Sequence, residues 1–486
     1  MKVSRKDAKA QSKRVRPSGL FSASLRVFAP LRELRPLRGA AVAILVIVLL
    51  SFTSFPVLAQ SPNATPSPTP KPALSRYLDQ TNGTTADSAV AYALGHNGDL
   101  EAARQEIEAA RAMVKQARLR ANPMLEAGGT QMIVGPDKSY MVSGLLPLEL
   151  GGRRAARIRV AERELAIREL TVADRERTLA AEVRAKFGEG LAQALKLIFT
   201  DELVAANQQS FNLIAARVTE GATPPLEQNM ALVELNRLRS MRESVAGKLE
   251  VTMFELRNLL GMKPEDPLQL RGDFRNLIDQ LPTVAEATAR ALQERPDLQA
   301  FRAAENLAVA RIEQARAEGR TDASLNAGYQ RMETGFPLRG IDDLGTLSPI
   351  MKKMNIATFG ITISLAVRNK NQGSIEAAFA ESEAATHRRE FAELTVRREV
   401  ASAHAQYERS ARAMEIFRVG VRDPARANLD VVRQTYELGS KTLIDYIGEQ
   451  RRFIELENDF IDTELAVYYA RVEIARASAS PELIRK

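Results

Sequence analysis

Apolar residues along the chain switch between a helical and a two-residue period, and do so twice. From about Thr85 to Leu119 they recur at three- and four-residue spacing, which predicts an amphipathic helix. Two short segments follow, Met124–Ile133 and Ser139–Glu149, joined by Val134-Gly-Pro-Asp137; they read as strand, turn, strand. An Ala/Glu/Arg/Leu-rich stretch without proline then runs from about Arg153 to Glu220, and a further helix covers Leu226–Leu260. The order returns with a helix over Thr283–Glu318, strands over Ala323–Met332 and Asn355–Val367, a long helix over Gly373–Leu438 and a last helix over Leu443–Ala477. Thr334–Met354, between the later strands, reads as a surface loop. Pro424 predicts a kink or break near Asp423, because proline has no N–H for the helix ladder.

The two halves also share residues at a fixed offset: Asp99/Asp297, Leu100/Leu298, Ala102/Ala300, Arg104/Arg302, Gln116/Gln314 and Arg118/Arg316. The chain is therefore read as a tandem repeat, mainly α with a small β part. A helix from Arg153 to Glu220 would be roughly 100 Å long at ~1.5 Å per residue, so it needs lateral support along its whole course. Ile158, Leu165, Val172 and Leu179 fall at seven-residue spacing, a coiled-coil seam. Four such helices in one chain would leave apolar stripes uncovered, which predicts oligomerisation.

The strands add a second expectation. Phe359, Ile361, Ile363 and Leu365 alternate with Gly360, Thr362, Ser364 and Ala366, and Leu325, Ala327 and Tyr329 alternate with Asn326, Gly328 and Gln330. One apolar and one polar face suits lipid outside and water inside a membrane barrel. A half-buried soluble strand alternates in the same way, so both readings stay open. Four strands cannot close a membrane barrel, the smallest of which have about eight. Strands in lipid tolerate no open edge, so a membrane location requires several protomers to share one barrel.

The chain has 486 residues and a formal net charge of +8. The charge does not point to nucleic acid, because residues 1–39 hold eleven Lys or Arg against Asp7 and Glu33, leaving the remainder at −1. That basic leader precedes an apolar run from Gly39 and the small residues of Val57-Leu-Ala59, the pattern of a secretory signal cleaved near Ala59. An uncleaved anchor is the other reading, since Ala40 to Leu58 could just span a bilayer. The predicted segments are a signal peptide at 1–59, a Pro-rich spacer at 60–84, a first repeat at 85–270, a second at 271–479 and a tail at 480–486.

With no cysteine there is neither disulfide nor thiolate chemistry. The histidines are His96, His387 and His404, and the last two lie too far apart on one helix to share a metal. No phosphate loop, nucleophile elbow or zinc signature occurs. No cofactor, metal site or enzymatic activity is expected.

The arrangement from about Ala86 to Ser478 resembles the TolC-like outer-membrane factor family. The resemblance implies three protomers forming one twelve-stranded β-barrel, continuous with a long α-helical tunnel across the periplasm. It implies a passive efflux conduit in the outer membrane of a Gram-negative-type bacterium. Its partners would be outer-membrane lipid, a periplasmic adaptor and an inner-membrane pump, and no nucleic acid. Glu220-Gly-Ala-Thr-Pro-Pro-Leu-Glu227 and Leu438-Gly-Ser-Lys-Thr-Leu-Ile-Asp445 match the family's turns at the periplasmic tip. By resemblance Gly221, Thr223, Gly439, Lys441 and Thr442 belong to the adaptor-docking turns, and Asp445 and Glu227 to the tunnel constriction. A second family aspartate three residues on is Gly448 here, so a double carboxylate ring is not implied. A glycine after a helix is also an ordinary C-cap, and an acid in a first turn also complements the helix dipole. Leu146-Pro-Leu-Glu-Leu-Gly-Gly-Arg-Arg-Ala-Ala-Arg157 is similar to the junction of CzcC-like heavy-metal efflux channels, with Gly151 and Gly152 permitting the strand-to-helix bend. The cargo is then metal cations or small toxic compounds. Type I secretion of a polypeptide and a periplasmic coiled-coil scaffold or adaptor remain the alternatives.

Overall fold

The computed structural model describes residues 74–272, 274 and 281–484. The proposed signal peptide and most of the proposed spacer lie outside the described residues. The first described element is a short helix, α1 (Leu74–Tyr77). Parallel bridges from Leu78 and Thr84 to Leu270 then tie the segment just before the first repeat to the end of that repeat.

Each repeat opens with a pair of helices rather than one. In the first these are α2 (Ala86–His96) and α3 (Gly98–Arg118). In the second they are α6 (Val284–Glu294) and α7 (Pro296–Glu318). The continuous opening helices expected from periodicity are thus each broken once. Asn97 starts α3 by accepting from the Leu100 amide, and its Nδ2 donates to Leu259 O across the core. At the matching place Arg295 adopts the same extended conformation and Pro296 starts α7. Capping boxes built on Thr85 with Ser88, and on Thr283 with Glu286, start α2 and α6.

Between the opening and long helices lie β1 (Met124–Gln131) and β2 (Lys138–Pro147) in the first repeat, β3 (Asp322–Ile341) and β4 (Leu347–Ser364) in the second. They form one antiparallel sheet in the order β1-β2-β3-β4. The β2–β3 pairing joins the repeats, running from Lys138 opposite Glu333 to Pro147 opposite Ser324. The expected loop over Thr334–Met354 is instead mostly an extension of the β3–β4 hairpin, with a register shift between Gly335 and Arg339. The cause is a tight turn at its end. The Asp342 carboxylate accepts from the Leu344 and Thr346 amides and the Thr346 hydroxyl, and Gly345 takes φ +79°.

The long helix of the first repeat is α4 (Arg153–Thr219), followed by α5 (Pro225–Leu260). The second repeat has α8 (Gln372–Phe417), a π-helical turn at Arg418–Arg422, α9 (Asp423–Glu437) and α10 (Leu443–Ala477). The break expected near Asp423 is this wide turn, which absorbs the N–H that Pro424 lacks while the chain stays helical. A short 3-10 helix, Pro481–Ile484, closes the described residues.

The main core wraps the middle of α4. Val172, Leu179, Val183, Phe187 and Leu197 of α4 pack with Leu249, Met253 and Leu256 of α5, with Val90 of α2, and with Tyr468 and Val472 of α10. Tyr468 crosses so close to Gly188 that a Cβ there would lie 2.2 Å from its ring, and the Tyr468 hydroxyl donates to Arg184 O at 2.8 Å. A second core joins α6, α8 and the end of α10. Of the expected seam, Val172 and Leu179 are buried, whereas Ile158 and Leu165 are half-covered. Toward the sheet, α4 meets α3 on one side and α7 on the other.

Candidate functional site

The far ends of α4 and α9 close by the same local chemistry. Gly221 takes φ +73° and donates to Val218 O, while Ala222 N–H reaches Arg217 O at 2.9 Å. Gly439 takes φ +77° and donates to Tyr436 O, while Ser440 N–H reaches Thr435 O at 2.9 Å. A Cβ on either glycine would meet nothing within 4 Å, so the backbone angle alone demands glycine.

The next helices start differently. Thr442 caps α10, with the Asp445 amide donating to its Oγ1 at 3.3 Å. In return the Thr442 amide and hydroxyl donate to Asp445 Oδ2 at 3.0 and 2.8 Å. Those bonds from Thr442 hold the Asp445 carboxyl below the usual carboxylate range. Asp445 is exposed and carries its charge at the helix N-terminus, with Lys441 exposed beside the turn and Gly448 one turn on. In the first turn Pro224 takes the N-cap and Pro225 the first helical position, so Thr223 caps nothing.

Glu227, in the first turn of α5, meets the second hairpin. Burial first, and then the Glu227 charge, raise the Tyr436 pKa. The Tyr436 ring stacks on Tyr446 with centroids 5.8 Å apart. Two turns further along α5, Glu234 is 1% exposed. It accepts from Arg237 on its own helix at 2.7 Å and from Arg451 on α10 at 2.6 Å. Burial pushes the Glu234 carboxyl up, but the two guanidiniums outweigh it and leave its pKa low. The structure thus joins the two hairpins by Glu234–Arg451, with the Glu227 charge near Tyr436. Tyr436, Glu234 and Arg451 had no signal in the sequence, because each is defined by a partner in the other repeat.

A third feature of the second hairpin is the π turn. Arg422 donates to both oxygens of Glu457 on α10, at 2.9 Å from Nε, and its guanidinium lies 4.4 Å from the Phe460 ring centroid. The one buried residue of α9 is Ala425, so below this anchor α9 leans on little of its own chain.

At the other end of α4 lies the strand-to-helix junction. Gly151 and Gly152 take φ +72° and +82°, and a Cβ on Gly151 would come 2.8 Å from Arg320 Cβ. The arginines behind them cap open helix ends. Arg157 donates to Ala117 O and Leu119 O, Arg154 to Arg118 O, and Arg153 to Glu318 O and Arg320 O. Arg157 also pairs with Glu149 at 2.7 Å and Arg153 with Asp322 at 3.1 Å. In the second repeat Asn371, at φ +64°, takes the place of the glycine and donates to Ala315 O.

The sheet register sorts its residues by face. Directly opposed residues share a face, so Leu146, Leu325 and Ile361 form one row. Leu125, Gly144, Ala327 and Phe359 form the next, then Ala127, Val142, Tyr329 and Ala357. This apolar face is open to the surroundings, with Phe359 at 83% and Leu125 at 78% exposure. The opposite face is mixed but more polar, with Glu126, Ser143, Asn326, Gly328, Gln330, Thr358 and Gly360 beside Met124, Met141, Leu145 and Ile356. A sheet apolar across one face and more polar across the other suits lipid against water, not a soluble core.

The family described as "Outer membrane efflux protein" matches residues 90–262 and 287–480, one segment in each repeat. The chain belongs to that family. This efflux-channel chain is 23% identical over 399 residues to the "Cobalt-zinc-cadmium resistance protein CzcC" of Cupriavidus metallidurans, covering 81% of this chain and 89% of that one. Its fold is shared by a membrane protein from Pseudomonas aeruginosa, with TM-score 0.66, 23% identity and coverage of 81% and 92%. The solved structure of CusC shares it with TM-score 0.67, 18% identity and coverage of 83% and 95%. The efflux-channel chain is an outer-membrane protein whose sheet faces lipid and whose long helices extend into the periplasm. Among the described residues no helix is long and apolar enough to cross a membrane, and no group of three or more His, Asp or Glu could hold a metal.

Proposed function

We propose that three copies of this chain close their strands into one twelve-stranded barrel and their helices into one tunnel. The assembly is a passive, non-enzymatic conduit serving an inner-membrane pump through a periplasmic adaptor. The observation that carries this reading is the sheet. Its four strands are apolar across one face, and among the described residues nothing pairs with the outer edges of β1 and β4. Such edges are not tolerated in lipid, and further copies supply the missing neighbours.

The turns around Gly221, Thr223, Gly439, Lys441 and Thr442 are proposed as the adaptor-docking surface. Gly221, Gly439, Lys441 and Thr442 are exposed and Thr223 is half-covered, at the end of the helices farthest from the sheet. Asp445 and Glu227 are assigned to the constriction. In the trimer Asp445 would form a ring of three carboxylates, attractive to cations. Glu227 acts there through its charge near Tyr436. Gly151 and Gly152 bend each chain from barrel into tunnel.

Metal cations are the proposed cargo, supported by the printed name of the cobalt-zinc-cadmium resistance relative. Selectivity resides in the pump, since a tunnel wall has no enclosing pocket. Solubilisation from outer membranes followed by mass determination tests the architecture. A heat-resistant trimer is expected; a soluble periplasmic monomer or dimer overturns it. Loss of the protein should raise zinc, cobalt or cadmium sensitivity. Sensitivity to small organic toxins alone, or failure to secrete a polypeptide, would move the cargo.

A further inference from the structure

The apolar sheet face ends abruptly in charge. Above the row of Val142, Tyr329 and Ala357 comes Tyr140, Arg331 and Asn355, and above that Lys138, Glu333 and Lys353. All these residues share the lipid-facing side, since paired positions and every second residue along a strand do so. Tyr140 and Tyr329 stand 58% and 50% exposed at the boundary, and the Tyr329 hydroxyl donates to Asn355 Oδ1 at 2.9 Å. The rows lie beside the β1–β2 turn, at the end of the sheet away from the helices, and the β3–β4 hairpin extends beyond them. In an outer-membrane protein whose helices enter the periplasm, that end meets the outer leaflet.

Three cations here face one carboxylate. Glu333 Oε1 lies 3.4 Å from Arg331 and 3.9 Å from Lys353, long contacts with the cations 50% and 63% exposed. Exposed pairs of that length hold their partners weakly. The face keeps a surplus of two positive charges per protomer at the height where headgroups begin. Lys138 and Lys353 stand on strands two apart, so they span roughly 10 Å, with Arg331 about 7 Å lower along its strand. That spread is wider than one phosphodiester and suits a headgroup bearing several phosphates. Long cationic side chains above apolar surface are the usual way such headgroups are held at an interface.

We propose that Lys138, Arg331 and Lys353 form a docking surface for multiply phosphorylated glycolipid of the outer leaflet. The inference rests on the outer-membrane location and adds the lipid class and the residues that select it. Tyr140 and Tyr329 fix the depth of the boundary.

The test uses the whole mature protein purified in detergent from outer membranes. It is titrated with diphosphoryl lipid A, monophosphoryl lipid A, cardiolipin or phosphatidylglycerol, and native mass spectrometry counts bound lipid. The wild type should prefer diphosphoryl lipid A. The variant K138S/R331S/K353S should lose that binding by about a hundredfold, at about fivefold per cation. K352S, on the opposite face of β4, should bind as the wild type does. Equal binding by the triple variant, or no preference over cardiolipin and phosphatidylglycerol, overturns the proposal. Either result with the variant still a heat-resistant outer-membrane oligomer leaves the channel reading intact. If the triple variant fails to assemble, K353S alone decides, with about fivefold weaker binding expected and unchanged binding refuting.

Discussion

Arg451→Met removes one of the two guanidiniums that hold Glu234, and its cost can be worked from the geometry. Arg451 supplies two hydrogen bonds, at 2.6 and 2.9 Å, to a carboxylate that is 1% exposed. A hydrogen bond to a charged group contributes about 1.5–3 kcal/mol, and breaking a fully buried pair costs about 3–5 kcal/mol. Arg237 stays with Glu234, and the Arg451 side chain is 47% exposed, so the low end applies. About 2 kcal/mol, or roughly thirtyfold in the equilibrium between docked and separated α5 and α10, is expected. Amide exchange in the segments around Glu234 and Arg451 reads that opening, and bilayer recordings read the fraction of time the channel conducts. A double-mutant cycle with Glu234→Gln should show coupling well above ~0.5 kcal/mol. An additive cycle would refute the reasoning, as would exchange no faster than that of Arg452→Met, whose side chain points to solvent on the same helix. The pH dependence has a definite sign. Because Glu234 has a folded pKa below the ordinary glutamate value, its stabilisation is fully present above that value. The stabilisation is lost only as pH falls through the lower folded pKa, so coupling persists at neutral and mildly acidic pH.

Gly439→Ala and Gly221→Ala should each destabilise by roughly 1–2 kcal/mol through the left-handed backbone alone; an equal loss in thermal or urea melts for Gly448→Ala, within α10, would contradict this. Tyr468→Phe should cost about 1 kcal/mol by removing the hydroxyl's bond to Arg184 O. Gly188→Ala should cost about 1–3 kcal/mol through overlap with the same ring, so a smaller urea-midpoint shift for Gly188→Ala than for Tyr468→Phe refutes the close approach. Phe359→Lys should deplete assembled protein from the outer membrane, at about 2–4 kcal/mol per copy near the bilayer centre, whereas Thr358→Lys on the polar face should be tolerated. Equal defects by fractionation would overturn the face assignment.

The elements carried by local pattern were legible in the chain. The proline-free stretch predicted α4 to within a residue of Arg153–Thr219, and the alternation around Phe359 placed the apolar face of β4. The breaks at Asn97 and Arg295 were not legible, since each side chain earns its place by bonds to distant partners, Leu259 O for one and Glu399 for the other. The β3–β4 extension was hidden because Asp342 and Gly345 make a tight turn inside what composition shows only as polar and irregular. At the site, glycine and capping signals marked the two turns. The contacts joining them pair residues more than two hundred positions apart, and no single-sequence periodicity reports such pairs.

The unequal hairpins have a consequence at the cell surface. β1 and β2 run for 8 and 10 residues, β3 and β4 for 20 and 18. In the proposed trimer the rim is crenellated, with three tall flaps from the second repeat alternating with three low gaps from the first. The flap ends in exposed Leu338, Ile341, Leu344 and Leu347. An antibody, a phage tail or a grafted epitope tag approaching from outside therefore touches the second repeat first. The turn at Asp342–Thr346 is the place where foreign sequence could be displayed without disturbing the lipid-facing wall beneath it.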